Sequence, residues 1–526
     1  MSVLVLLLIP ATSHAETGVP GAARIASRDS KVIEEQRENG WLTHAVNKVD
    51  GNWEVGYFAG DQEVALVIVD PKTGLVRESW TGYQVAWKMA RGYSGAFGHK
   101  LNAPYVFLPL CAIFLLGLLD WRRLRRIANL DLLVLLGFGV SNFFFNRAEI
   151  GVSVPLQYIP LSYLFGRALW IGMRGGGEGI RPRWPAAWLL IAALFLIGFR
   201  VGLNMADSGV IDVGYAGVVG ADRIAHGEPI YDNFPEDVSQ GDTYGPVNYL
   251  AYVPFERIWP WSGTWNDLPA GHGAAVFFDL ATFALLIFLG RRIRPGPAGN
   301  KLAATLAFGW AAYPYTAFTL LSNSNDSLVA MLLVATLLVL AKPAARGAMA
   351  ALATFAKFAP GALAPMLLTY GERRRRFVLA FAATTAAVML WPAIDPGLHT
   401  VYERTIAYQA GRSSPFSIWG QVPSLEPLRV VILVAVACLS LLFAFRPKDK
   451  QLFQVAALGA ALLIGVQLTM HHWFYLYIVW FYPLLLVAMS QRAREPSPAR
   501  SSRPDHDRSR RPPPPSPTHP PQPSQT

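Results

Sequence analysis

Eleven apolar runs, each close to bilayer length and separated by short arginine and lysine clusters, constrain this chain more than any other feature. A hydrocarbon core about 30 Å thick takes roughly 20 helical residues to cross, and inside it each backbone polar group must be satisfied within its own segment. The runs fall at 104–120, 130–146, 152–173, 185–203, 274–290, 302–321, 326–341, 377–394, 428–445, 451–470 and 473–490. Composition agrees: 52% hydrophobic and 15% charged residues in a chain of 526, with a mean hydropathy of +0.30, is too apolar for an ordinary soluble protein. The expectation is an all-α polytopic membrane protein of about 11 transmembrane helices, carrying one small α+β module at its N-terminal end.

The net charge of +11 does not call for a nucleic-acid partner, because the cations sit between apolar runs and in the tail, where seven Arg against three acids after Gln491 account for +4. Arg122, Arg123, Arg125 and Arg126, then Arg291, Arg292 and Arg294, then Arg373 to Arg376, and finally Arg446, Lys448 and Lys450 all fall on one side if the chain before residue 100 lies outside. One segment tests this scheme. Gly347 to Tyr370 is about one span long, yet Arg346 precedes it and four arginines come after it. A re-entrant hairpin broken around Lys357 and Pro360 resolves the conflict and brings Lys357 toward the outer side; the alternative is an ordinary span that violates the charge rule once.

Before the spans, residues 1–16 have the short apolar core and small-residue ending of a secretory signal, without a basic n-region, so a retained anchor or a misassigned start remains the alternative. Residues 29–94 change composition to that of an extracytoplasmic α+β unit: a helix over 29–46, strands NWEVGYFA and EVALVIVD, and a DPKTG turn leading into LVRESWTG. The pattern resembles PepSY-like modules and implies binding or scaffolding. Residues 491–526 are Pro- and Arg-rich and read as a disordered cytoplasmic tail. Cys111 and Cys438 lie inside apolar runs, which excludes a disulfide framework.

Between Asp207 and Asp242 the chain places eight carboxylates among membrane-like segments. Most read as solvated loop charges. Asp207 and Asp212 differ, because they follow a span closely, where a lipid head group sits and where an ionised carboxylate can accept a hydroxyl proton. The aromatic run YGPVNYLAYVPFERIWPW reads as a segment lying along the membrane surface.

A span, then VIDVGYAGVVGADRIAHGEPIYD, then YGPVNYLAYVPF resembles the polyprenol-phosphate-mannose-dependent mannosyltransferases of actinobacteria, in the GT-C glycosyltransferase class. The resemblance continues through SNSNDSLVAML, RGAMAALATFAKFAP, YQAGRSSPFSIWG and HHWFYLYIVWFYP, covering about 185–489; the module and the three spans before residue 185 depart from the pattern and leave the acceptor open. It implies a GT-C-like domain over 104–490, with Asp212 as catalytic base and Tyr215, Gly227 and Tyr231 in the family's opening-loop pattern. Asp207 is the second catalytic candidate. Tyr231, Tyr215 and Tyr244 then line the substrate site, and Lys357, Arg412 and His471 or His472 serve the phosphate of a lipid-linked donor. The bland alternatives are a snorkelling lysine and an ordinary loop arginine. Neither a metal nor a cofactor is expected, since adjacent histidines do not share a helical face; the donor, a polyprenyl-phosphate sugar, is a substrate. The implied partners are that donor, a glycan or glycolipid acceptor and the bilayer of a bacterial cell. The rival readings are a transporter, for which Asp279 would belong to an ion pathway, and a membrane sensor with an outer ligand-binding module.

Overall fold

The computed structural model describes residues 17–49, 51–60, 62–81, 101–146, 149–176, 179–206, 208–235, 238–265, 268–412 and 414–491. The signal-like start, Asp207 and the tail after Gln491 lie outside the described residues.

The N-terminal unit is an antiparallel meander of four strands in the order β1-β2-β3-β4, formed by β1 Thr43–Val49, β2 Asn52–Ala59, β3 Gln62–Val69 and β4 Val76–Thr81. Two helices, α1 Val19–Ala26 and α2 Ser30–Asn39, supply Ala22, Ala26 and Val32 to a core with Val55, Tyr57, Ala65, Val67 and Val69. Asp29 caps α2 by accepting from the Lys31 amide and also accepts from Ser79 Oγ at 2.8 Å, which ties the helix to β4. The helix expected over 29–46 is therefore too long. Gly40, at φ 77°, ends it, and THAVNKV pairs with β2 in the register Val46 to Val55, an edge strand completing a hairpin through Gly51. At the other end, Asp70 accepts from the Lys72 and Thr73 amides and pairs with Arg77, which fixes the expected DPKTG turn.

The remainder is a helical bundle with its own hydrophobic core. Among the described residues, five helices are long and apolar enough to cross a bilayer: Ile127–Phe145, Ala186–Ala206, Pro269–Ile293, Arg374–Gly411 and Pro423–Phe445. The expected count of eleven crossings is thus not confirmed: two of the expected runs are divided, and others form helices shorter than a bilayer crossing. Pro314 splits the run at 302–321 into Gly296–Ala312 and Pro314–Leu321, and the run at 473–490 opens as a loop and a short 3₁₀ turn before Ile478–Ala488. Ile478–Ala488 is buried on all sides, and Leu452–Leu468 nearly so, as suits helices inside a bundle. Ala186–Ala206 and Glu426–Phe445 instead leave apolar side chains such as Phe195 and Phe445 uncovered, a surface compatible with lipid.

Buried ion pairs cross-link these helices. Asp131 accepts from Arg167 Nε at 2.9 Å and from the Tyr163 hydroxyl. Asp279 takes both of its oxygens to Arg200 and accepts from Trp310 Nε1 at 3.0 Å. A fully paired carboxylate in a packed interface is a structural tie.

Residues 347–369 fold back on themselves. Helix Pro343–Ala356 ends at Lys357, which is extended (φ −145°, ψ 119°), and a 3₁₀ turn at Ala359–Leu363 leads into Ala364–Leu368. Arg346, buried at the start of the hairpin, donates to the Tyr370 carbonyl at 2.8 Å, so the two ends of the segment meet. Lys357 sits at the opposite end from this closure.

Candidate functional site

The site is assembled where the Asp212–His226 helix begins. Its N-terminus is held by the SNSND turn between Pro314–Leu321 and Asp326–Leu338. The Ile211 amide donates to the Ser322 carbonyl at 3.0 Å, Asn323 Nδ2 donates to Gly209 O and Ser208 Oγ, and Asn325 Nδ2 donates to Val213 O. Asn323 itself accepts from Asn204 of the preceding span at 2.8 Å. The approach is so close that a Cβ on Gly214 would lie 2.1 Å from the Asn323 carbonyl oxygen. This turn decides where Asp212 points, and it is also the source of Asp326.

Asp326 is the centre of the arrangement and was not among the residues singled out in the sequence. It is wholly buried and accepts from Lys357 Nζ at 2.5 Å, from Trp480 Nε1 at 2.7 Å and from Ser324 Oγ. The Lys357 ammonium also lies over the rings of Tyr244, Trp480 and Tyr477 at 5.0, 5.2 and 5.5 Å, which compensates part of its desolvation. Asp326 is therefore fully partnered, and the Lys357 charge is answered by Asp326 and the three rings. Lys357 is at the hairpin end, as the charge pattern implied, but its charge is committed to Asp326.

Asp212 faces this pair from the open side. Its side chain keeps contact with solvent, yet desolvation by the dense protein around it raises its pKa, partly offset by its bond from the Val213 amide at 2.8 Å and by Arg412 and Lys357, while Asp326 pushes it up further. Arg412, half-buried, acts on Asp212 and on His472 without a hydrogen bond or ion pair to any described residue. His472 accepts or donates at Nδ1 with Ser414 Oγ at 2.9 Å. Burial first, then Arg412 and Lys357, hold its pKa well below the ordinary histidine value, so it is neutral. Burial and the Asp212 charge likewise keep the Tyr244 phenol protonated.

Of the residues picked from the sequence, Asp212, Lys357, Arg412, His472 and Tyr244 are thus brought within electrostatic reach of one another. Others are not. His471 turns to Glu426, 3.1 Å away, in a separate cluster with Arg429. Tyr215 is a core residue stacked on Trp265 at 4.8 Å. Tyr231 acts one step back, its buried hydroxyl donating to the Tyr244 carbonyl at 2.9 Å. Asp207 lies outside the described residues.

Among the described loop acids, Asp212, Glu228 and Asp232 keep contact with solvent, while Asp222 and Asp242 are buried. Asp242 is buried and chelates Arg404 through Oδ2 at 2.6 Å and Oδ1 at 2.8 Å while accepting from the Asp232 amide. YGPVNYLAYVPF packs inward, with Tyr249 and Tyr252 filling the space left by Gly220 and Gly217. The opposite side of the full run, with Leu250, Ile258 and Trp259, is left uncovered. Asp326 carried one legible signal, an acid directly after a polar SNSN turn at the end of an apolar run; its partners, 31 and 154 residues away, carried none.

The assembled chemistry is one accessible carboxylate of raised pKa, one uncommitted guanidinium, a neutral imidazole and protonated phenols, beside a neutralised lysine-carboxylate pair. Among the described residues, no three His, Cys, Asp or Glu side chains are grouped to hold a metal ion. Neither the family models, the curated proteins nor the solved structures with which the chain was compared gave a match.

Proposed function

We propose that this chain is a membrane glycosyltransferase that moves a hexose, mannose by the resemblance, from a polyprenyl phosphate to an extracytoplasmic glycan or lipid acceptor. The observation that carries the reading is the juxtaposition of accessible Asp212 with uncommitted Arg412 at one end of a bundle of apolar helices. Asp212 removes the proton as the acceptor hydroxyl oxygen attacks the anomeric carbon, and its raised pKa brings it closer to the range useful for a base. The bond between that carbon and the phosphate oxygen breaks, and the polyprenyl phosphate departs with the electron pair. Arg412 and neutral donors such as Tyr244 stabilise the negative charge that develops there. Attack opposite the phosphate inverts the anomeric centre. Lys357, committed to Asp326, shapes the site and sets the field at Asp212.

Membranes holding the chain, given a radiolabelled polyprenyl phosphate hexose, should transfer label to an endogenous acceptor. Asp212→Asn should lower that transfer by about 10²- to 10⁴-fold, the usual cost of losing a general base, with Asp207→Asn as the control. Transfer that persists in both variants would overturn the reading.

A further inference from the structure

We propose that residues 398–411 form an interfacial arm, whose apolar row is sunk in the lipid leaflet nearest the site and whose end holds Arg412 at headgroup level. The apolar helical stretch Arg374–Gly411 has 38 residues, about 57 Å at 1.5 Å per residue, nearly twice the roughly 30 Å of a bilayer core. The chain breaks where that length runs out. Arg374–Pro392 is 19 residues, about 28 Å, after which Asp395 (φ −143°, ψ 115°) and Gly397 (φ 105°) leave the helical region. The residues beyond this break must run along the leaflet or above it.

The surface of the arm decides between these. Beyond the break Leu398, Tyr402 and Ile406, each four residues after the last, are 59, 53 and 44% exposed. The turns at Glu403–Ala407 are π-type and hold more residues than α turns, so a four-residue repeat stays in line. The apolar exposure runs on through Ile394 at the break, 75% exposed, from Arg374–Pro392, where Leu379 and Leu390 are uncovered. Soluble surfaces rarely leave so continuous an apolar strip open, and its continuity with a helix of bilayer-crossing length identifies lipid as its cover. The other side of the arm is fastened to protein: Val401 packs with Ile230, Tyr231 and Tyr249, and Arg404 grips Asp242. Exposed His399 and Glu403 border the apolar row, the pattern of a helix lying in the interfacial plane.

The inference rests on membrane embedding and not on the transferase reading, so each can fail alone. On a Cys111→Ser, Cys438→Ser background, nitroxide labels placed singly at 398, 402, 406, 399 and 403 would be read in phosphatidylethanolamine and phosphatidylglycerol vesicles by collision with oxygen and with a nickel chelate. The oxygen-to-nickel ratio should be severalfold higher at 398, 402 and 406 than at 399 and 403; equal ratios at all five positions overturn the proposal. Hydroxyl-radical footprinting of the unsubstituted protein in the same vesicles tests it without any variant. His399 should be oxidised and Tyr402 spared, and equal oxidation of the two counts against the arm.

Discussion

Removing the charges of Asp326 and Lys357 singly and together tests the site most directly. The side chains are 1% and 6% exposed and 2.5 Å apart. Breaking a buried pair by deleting one partner costs about 3–5 kcal/mol, a large part of the roughly 5–15 kcal/mol that holds a typical domain folded. Lys357→Met should sit in that range, since Asp326 keeps its Trp480 and Ser324 donors but loses its counter-charge. Asp326→Asn should cost less, because the rings of Tyr244, Tyr477 and Trp480 still surround the ammonium, each contributing about 0.5–2 kcal/mol. The double variant removes both charges and should be less destabilised than the sum of the singles by up to about 3 kcal/mol. A second readout separates structure from chemistry. Asp212 feels both charges: Lys357 lowers its pKa and Asp326 raises it. The acid limb of the transfer rate should therefore move to higher pH in Lys357→Met, to lower pH in Asp326→Asn, and back toward the parent in the double variant. Thermal unfolding in detergent and a pH profile of transfer measure the two effects. Additive destabilisation, or acid limbs that shift in the same direction, would refute the coupling.

Three further outcomes are expected. Asp212 has a raised folded pKa, so ionising it opposes folding; this penalty is absent below the ordinary carboxylate range and grows as pH rises through the raised value. Asp212→Asn should therefore melt above the parent at neutral pH, with the difference closing on acidification, and a lower midpoint contradicts it. In the N-terminal unit, burial and then Glu54 raise Glu63 to about 7, so stability should decline between about pH 5 and about pH 8; hydrogen exchange of the β3 amides in the full chain should lose that dependence in Glu63→Gln. Gly214→Ala forces a methyl against the Asn323 carbonyl and Val210 and should cost about 1–3 kcal/mol, together with transfer activity, while Gly202→Ala, in open space, should change neither.

The sequence by itself settled what depends on local pattern. Apolar length and the arginine clusters identified a membrane-type helical chain, period-two alternation placed β2 and β3, and the clash between Arg346 and the RRRR run after Glu372 signalled that Gly347 to Tyr370 turns back. Local pattern also misled. Thr43–Val49 read as the continuation of a helix because its strand character comes from pairing with β2, and periodicity could not reveal that Gly217 and Gly220 open room for Tyr252 and Tyr249, which bury one side of the aromatic run. Tertiary structure alone decided the chemistry of the site. Lys357 is a committed partner because Asp326 and Trp480, on two other helices, are brought to it, while Arg412 has no ion pair among the described residues. A charge's role depends on what surrounds it and how far it is desolvated, and neither property is written in the residues beside it along the chain.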